Sequence, residues 1–312
     1  MPRKIWVATT AMHGADGPTV QDNLAKAHDL LERACAMRPD IICLPEVFAT
    51  RGVAYERAEQ VAQSVPGLIT ETAAQVARQH STYIICPLLE RRDDKVYNSA
   101  VLLDRQGKIV GAYEKMHPVP DQEYKVLEKG VASGLEPKVF ETDFGRIGIL
   151  ICFDINWPEE WATLKKKGAE IVFWPSAYEG GMPLQSRALD HHYYVVSSVT
   201  GMHSRIIDIT GRILAETGLY NDIAELEIDL DKKALSTDYN LQKVPAIRAR
   251  YGRDVAMQMF LDEDIFTLES LRADVWVADL VAEFDLELWS DYIARCAKAQ
   301  EAQRTPRCDR QS

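Results

Sequence analysis

Short apolar runs alternate with longer amphipathic stretches over roughly the first 230 residues of the chain. KIWVATTA leads into a helical apolar period over residues 21–37, then DIICLPE. A second helical period covers residues 69–79 and is followed by YIICPLLE, a turn at residues 91–95, YNSAVLLD, the turn RQGK and IVGAYEK. Further on come KVFETDFGRIGILICFD, a helix over 161–167, EIVFWPSA, a helix over 184–192, YYVVSSV, RIIDITGRILAE and AELEIDLD. Apolar runs of four to eight residues with β-branched and aromatic side chains read as strands, and the i, i+3, i+4 spacing reads as helices. The pattern predicts a mixed α/β domain.

Several predicted strands are joined by only a few turn residues, as in DRQGK and DITGR. Such short links make hairpins, so a purely parallel sheet is excluded and antiparallel pairs are expected among the crossovers. Two sheets packed face to face under outer helices would bury both kinds of apolar surface. No internal repeat is visible.

The texture changes after Asp231. Residues 1–232 form one predicted domain, and 233–312 a mainly helical extension that packs on that domain or on a partner subunit. Trp276, Leu280, Phe284 and Leu288 recur near helical spacing and predict a buried stripe there. Residues 304–312 read as a frayed polar tail.

Composition narrows the class. At 46% hydrophobic and 27% charged residues the chain is ordinary for a globular protein. Its formal charge of -11 disfavours non-specific binding to nucleic acid or anionic membranes. The N-terminus MPRKIWVATTAMHG has no continuous apolar core and cleavage site, and no run reaches the roughly 18–20 apolar residues of a membrane helix, so a cytoplasmic protein is expected. Six cysteines, at 35, 43, 86, 152, 296 and 308, show no C-x-x-C pair and read as reduced thiols. Cys43 and Cys86 lie inside apolar runs and are expected to be core packing.

Cys152 ends the run FGRIGILICFD and precedes WPEE, which has the punctuation of a helix start with Pro158 in its first turn. Helix starts present unpaired N–H groups and a positive dipole end, which lower a nearby thiol pKa and hold an oxyanion. Simple burial of a free thiol fits the same segment. Glu46 ends the run IICLPE and Lys115 the run IVGAYEK. A carboxylate, an ammonium and a thiol at strand ends suffice for acyl transfer, although each charge alone also fits a loop or surface position.

Glu46, Lys115 and Cys152 in the contexts LPE, YEK and GRIGILICFD, with WPEEW, WPSA, RALDHHYYVV and DITGRIL, resemble the carbon–nitrogen hydrolases of the nitrilase superfamily over residues 4–231. The resemblance implies a four-layer α-β-β-α sandwich, a Glu-Lys-Cys triad at inner strand ends, and assembly into homodimers or larger homo-oligomers. It implies a second glutamate after the lysine, for which Glu123 in QEYKVLEKG is preferred and Glu128 is the competitor. In the implied reaction Glu46 takes the Cys152 proton, Lys115 and the backbone N–H of Phe153 hold the oxyanion, and ammonia or an amine leaves a thioester. No metal or organic cofactor is required.

Phe153-Asp154 after the cysteine resembles the amidase and carbamoylase branches rather than the Trp-Glu of nitrilases. The expected substrate is therefore a small amide or N-carbamoyl compound; the alternatives are a small nitrile, or a non-catalytic interaction protein that keeps the sandwich. Carbamoylases for D-amino acids have arginines where this chain has Ile155 and Asn156, which speaks against an N-carbamoyl D-amino acid. Tyr55, His117, Trp157 and Tyr178 are candidates for the pocket wall, since aromatic groups pair an apolar face with a polar handle. Arg51 and Arg205 are weaker candidates for holding a substrate acid. His191-His192 beside Asp190 suggests a metal, but adjacent helical residues point apart. Lys115→Ala is expected to cost rate without unfolding the protein.

Overall fold

The computed structural model describes residues 3–14, 16–123 and 125–304, so most of the expected polar tail lies outside the described residues. It divides into two compact units, Ile5–Ile228 and the segment from Asp229 onward with Lys4, just ahead of the expected boundary.

The first unit holds two six-stranded sheets. One contains β1 (Lys4–Thr10), β2 (Ile41–Cys43), β3 (Tyr83–Arg92), β4 (Lys95–Leu103) and β5 (Ile109–Glu114). The other contains β6 (Lys138–Glu141), β7 (Arg146–Ile149), β8 (Ile171–Ser176), β9 (Tyr194–Val199), β10 (Arg205–Ile207) and β11 (Ile213–Glu216), after which β12 (Ile223–Asp229) returns beside β1. Strands β1, β2 and β3 run parallel, as do β7, β8 and β9; the hairpins β3–β4, β4–β5 and β10–β11 are antiparallel. This mixture is what the short DRQGK and DITGR links require.

Four helices flank the sheets: α1 (Val20–Ala34), α2 (Leu68–His80), α3 (Pro158–Lys166) and α4 (Met182–His191). They lie close to the stretches predicted from apolar spacing. The stripe of Leu24, Ala27, Leu30, Leu31 and Ala34 on α1 packs with Ile69, Ala73 and Val76 of α2 against Ile42, Ile84 and Val101 of the first sheet. On the second sheet Gly148 admits α3, because a Cβ there would sit 2.8 Å from Leu164 Cδ1. Between the sheets, Thr9 Oγ1 donates to Ser197 O at 2.6 Å and Ser198 Oγ to Cys43 O at 2.9 Å. The result is the expected α-β-β-α sandwich.

The second unit departs from expectation. It does contain helices α5 (Val244–Tyr251), α6 (Val277–Glu283) and α7 (Trp289–Gln303), but also a three-stranded antiparallel sheet of β13 (Lys233–Ser236), β14 (Val255–Phe260) and β15 (Ile265–Ser270). Each strand is short, and the acidic turn at residues 261–264 made two strands look like one aliphatic-acidic stretch. The expected stripe is also broken: Trp276 caps α6 and stays 37% exposed, while Leu280 is buried with Leu235, Ile247, Phe266 and Leu268. Among the described residues no helix is long and apolar enough to cross a membrane.

Candidate active site

Three strand ends carry the candidate residues. Glu46 follows β2, Lys115 follows β5 and Cys152 follows β7, and all three side chains are buried. Carboxyl ends of strands are where sheet proteins gather reactive groups, because the chain leaves the sheet there and turns.

The turn after β2 is pinned from outside. Val47 adopts φ 42°, and Asn23, buried on α1, donates to Ala49 O at 3.1 Å and to Arg51 O at 2.6 Å. Left-handed backbone is strained for a β-branched residue and persists only where its surroundings over-determine it. Glu46 leaves this turn with its carboxylate fully engaged. Its Oε1 accepts from Lys115 Nζ at 2.8 Å and Asn98 Nδ2 at 2.8 Å, and its Oε2 from Ala177 N at 2.8 Å, just beyond β8.

Lys115 Nζ also donates to Glu128 Oε1. Glu128 accepts in addition from Val119 N at 3.0 Å and from Asn98 Nδ2 at 3.1 Å. The preferred Glu123 is corrected here: it is exposed and pairs with Lys125. A bridge between Pro120 and Leu127 makes the loop an out-and-back excursion. Glu123 occupies its outer part, whereas Glu128, with left-handed backbone at residues 128–130, turns back to Lys115. Spacing along a chain does not reveal such a return.

Cys152 opens a 3-10 turn (Cys152–Asn156) ahead of α3, with φ 47°. Its carbonyl accepts from Trp174 Nε1 at 2.9 Å. Asp154 ties this elbow to the lysine loop. Its carboxylate accepts from Ile151 N at 2.9 Å, Tyr113 Oη at 2.8 Å and His117 N at 2.9 Å. The first bond of the turn runs from Asp154 N to Ile151 O, so the Phe153 N–H precedes the ladder.

The electrostatics correct one expectation. Burial pushes the Cys152 thiol up to about 12, the Glu46 carboxylate adds to this, and Lys115, the Ser176 hydroxyl and the Ala177 N–H only partly offset it. A helix start was expected to lower it, but the cysteine begins a single short turn rather than α3, and a carboxylate faces it. Burial drives the Lys115 ammonium down, while Glu46, Cys152 and Glu128 more than reverse that and hold it above the ordinary lysine value. Burial also lifts the Asp154 carboxyl to about 6 against the pull of its three donors.

Of the aromatic candidates, Tyr178 and Tyr55 lie near this group, and His117 and Trp157 lie against Asp154. Burial pushes the Tyr178 phenol up to about 12, with Cys152 as the next contribution. Tyr55 is raised by burial and by Glu128 and Glu46, and Lys129 Nζ stands 4.1 Å over its ring. His117 stacks on Trp157 with centroids 3.6 Å apart, and Phe153 meets Trp157 edge-on. Other candidates are committed elsewhere: Arg51 to Asp16, Arg205 to Glu216, and His192 Nδ1 to Ile209 O at 2.9 Å. Among the described residues no three His, Cys, Asp or Glu side chains are grouped to hold a metal ion.

Asn98 and Ala177 escaped the sequence reading, and Asp154 entered it only as a branch marker, not as the tie between the elbow and the lysine loop. Asn98 left a trace, as a polar residue inside the apolar run YNSAVLLD; the Ala177 N–H left none, since backbone donors carry no residue signature.

Comparison with known proteins agrees with this geometry. The carbon-nitrogen hydrolase family profile matches residues 9–234. The deaminated glutathione amidase of Dictyostelium discoideum is 31% identical over 245 residues, covering 68% of this chain and 84% of that protein. Among solved structures, Nit3 of Saccharomyces cerevisiae, a member of branch 10 of the nitrilase superfamily, superposes with TM-score 0.63 at 23% identity over 80% of this chain and 94% of that one. A mutant amidase from Nesterenkonia sp. AN1, with acrylamide added at its active-site cysteine, gives TM-score 0.60 at 20% identity over 78% and 99% of the two chains. A buried Glu–Lys–Cys grouping on an α-β-β-α sandwich, matched along the length of the first unit, makes this chain a carbon–nitrogen hydrolase of the nitrilase superfamily.

Proposed function

We propose that the protein hydrolyses the C–N bond of a small amide or N-carbamoyl compound through a Cys152 thioester. The observation that carries this reading is Lys115 held between the carboxylates of Glu46 and Glu128 beside a thiol that keeps its proton. A cysteine in this state needs a base at the moment of attack, and Glu46 is the base in reach.

In the first half-reaction the Cys152 sulfur bonds to the carbonyl carbon while its proton passes to Glu46. The carbonyl oxygen becomes an oxyanion, held by the Phe153 N–H and by the remaining N–H of Lys115, two of whose three are directed at carboxylates. Collapse breaks the C–N bond as Glu46 returns the proton to nitrogen, and ammonia or an amine leaves. In the second half Glu46 takes a proton from water, whose oxygen attacks the thioester carbon; the C–S bond breaks, Glu46 returns that proton to the Cys152 sulfur, and the acid is released. Glu128 is a positioning residue that keeps Lys115 charged and aimed. Tyr55, His117, Trp157 and Tyr178 form the pocket wall. Amidases outnumber the one protein named nitrilase among the most similar relatives, which supports amides over nitriles.

The test is ammonia release from a panel of primary amides, N-carbamoyl compounds and nitriles, with Cys152→Ala as the blank. Release from amides or carbamoyl compounds that vanishes in a folded Cys152→Ala protein is expected. Undiminished release in that variant refutes the nucleophile, and release from nitriles alone refutes the amide reading.

A further inference from the structure

Asn98 is not among the residues the proposed reaction requires, yet its side chain touches both carboxylates that hold Lys115. It lies on β4, opposite Leu89 of β3, and is 2% exposed. One Nδ2 hydrogen goes to Glu46 Oε1 at 2.8 Å and the other to Glu128 Oε2 at 3.1 Å. Its carbonyl oxygen on the main chain accepts the Lys115 N–H at 2.8 Å. With two carboxylates as neighbours the amide can face them only through its NH2, because the opposite orientation would set oxygen against oxygen.

The side-chain Oδ1 is buried and has no hydrogen-bond partner. Buried acceptors without partners are uncommon, and a residue kept only for packing has no reason to carry one. An apolar residue of similar size would remove that cost and lose the two bonds to the carboxylates. The amide therefore serves the carboxylates.

We propose that Asn98 is a positioning residue of the proposed reaction, the neutral clamp that holds Glu46 and Glu128 in register on either side of Lys115. Two carboxylates sharing one ammonium repel each other, and the repulsion favours protonating one of them. A second cation would relieve this but would also draw Glu46 away from the thiol. An amide donates to both carboxylates without adding charge, so it holds Glu46 in place and leaves it able to accept a proton. This inference rests on Glu46 being the base for Cys152.

The experiment is the pH profile of Cys152 alkylation by iodoacetamide, which needs no substrate, in wild type, Asn98→Ala, Asn98→Ser, Asn98→Asp and Glu46→Gln. The wild-type rate is expected to fall on the acid side and to level off at neutral pH. In Asn98→Ala and Asn98→Ser this acid limb moves upward and the plateau falls about tenfold; in Asn98→Asp the third carboxylate moves the limb upward by about one pH unit or more. Folding is checked by circular dichroism, and Asn98→Ser keeps the test open if the alanine variant does not fold. A wild-type profile in any folded Asn98 variant, beside a Glu46→Gln protein that has lost its plateau, overturns the clamp and leaves the base assignment standing. A wild-type profile in Glu46→Gln overturns both.

Discussion

Lys115 is 1% exposed and lies between two carboxylates, so its removal has two consequences. The oxyanion loses a donor, and the buried Glu46 and half-buried Glu128 are left without their cation. Breaking a buried pair costs about 3–5 kcal/mol. The sequence alone suggested that Lys115→Ala would keep its fold; its burial reverses this, and the variant is expected to melt well below wild type as well as lose turnover, as thermal unfolding beside ammonia release would show. Glu128→Gln preserves shape and removes one charge. It should reduce kcat about 10²-fold through misplacement of Lys115. Glu123→Gln loses only an exposed pair with Lys125 and should leave kcat and stability at wild-type values. Equal effects of the two substitutions would undo the assignment of Glu128. The Cys152 thiol, pushed up to about 12, predicts no free thiolate through the neutral range, with thiolate absorbance appearing only at strongly alkaline pH.

At the scale of elements, the site depends on joints between strand ends. Asp154 links the elbow after β7 to the lysine loop after β5 through Ile151 N, Tyr113 Oη and His117 N. Its carboxyl titrates near 6 in the folded protein against an ordinary 3.8. The folded state thus binds this proton more tightly than the unfolded chain. That contribution to stability is complete below the ordinary value and is lost as pH rises from about 3.8 to about 6. Asp154→Asn removes this dependence, so the stability gap between wild type and variant should narrow as pH rises through that window, measured by denaturant unfolding at a series of pH values. A gap that widens would mean the three donors outweigh burial. The close approach of α3 makes a second test: Gly148→Ala places a methyl 2.8 Å from Leu164 Cδ1 and should cost about 1–3 kcal/mol.

On the scale of the whole molecule, two compact units with separate apolar cores predict two transitions in denaturant. Phe266→Ala, in the buried core of the second unit, should move one transition by about 3–5 kcal/mol. All the site residues named lie between Ile5 and Ile228, so Cys152 alkylation in that variant should keep its wild-type profile. A single transition that shifts as a whole would show that the units unfold together. Much of the first unit was legible in advance, because its strands and helices announce themselves by period: IIC, YIICPLL and IVFWP are apolar runs, and α1 carries its stripe at helical spacing. Glu46, Lys115 and Cys152 were legible as candidates too, each closing an apolar run. What the tertiary structure decided was everything that depends on a chain coming back on itself. The excursion at Pro120–Leu127 brings Glu128 rather than Glu123 to Lys115, Asn98 on β4 meets Glu46 after β2 and Glu128 in the loop after β5, and the thiol's proton is set by burial and a facing carboxylate. Periodicity is a local property of the chain and survives in a single sequence, whereas distance and dielectric surroundings exist only between segments that folding brings together.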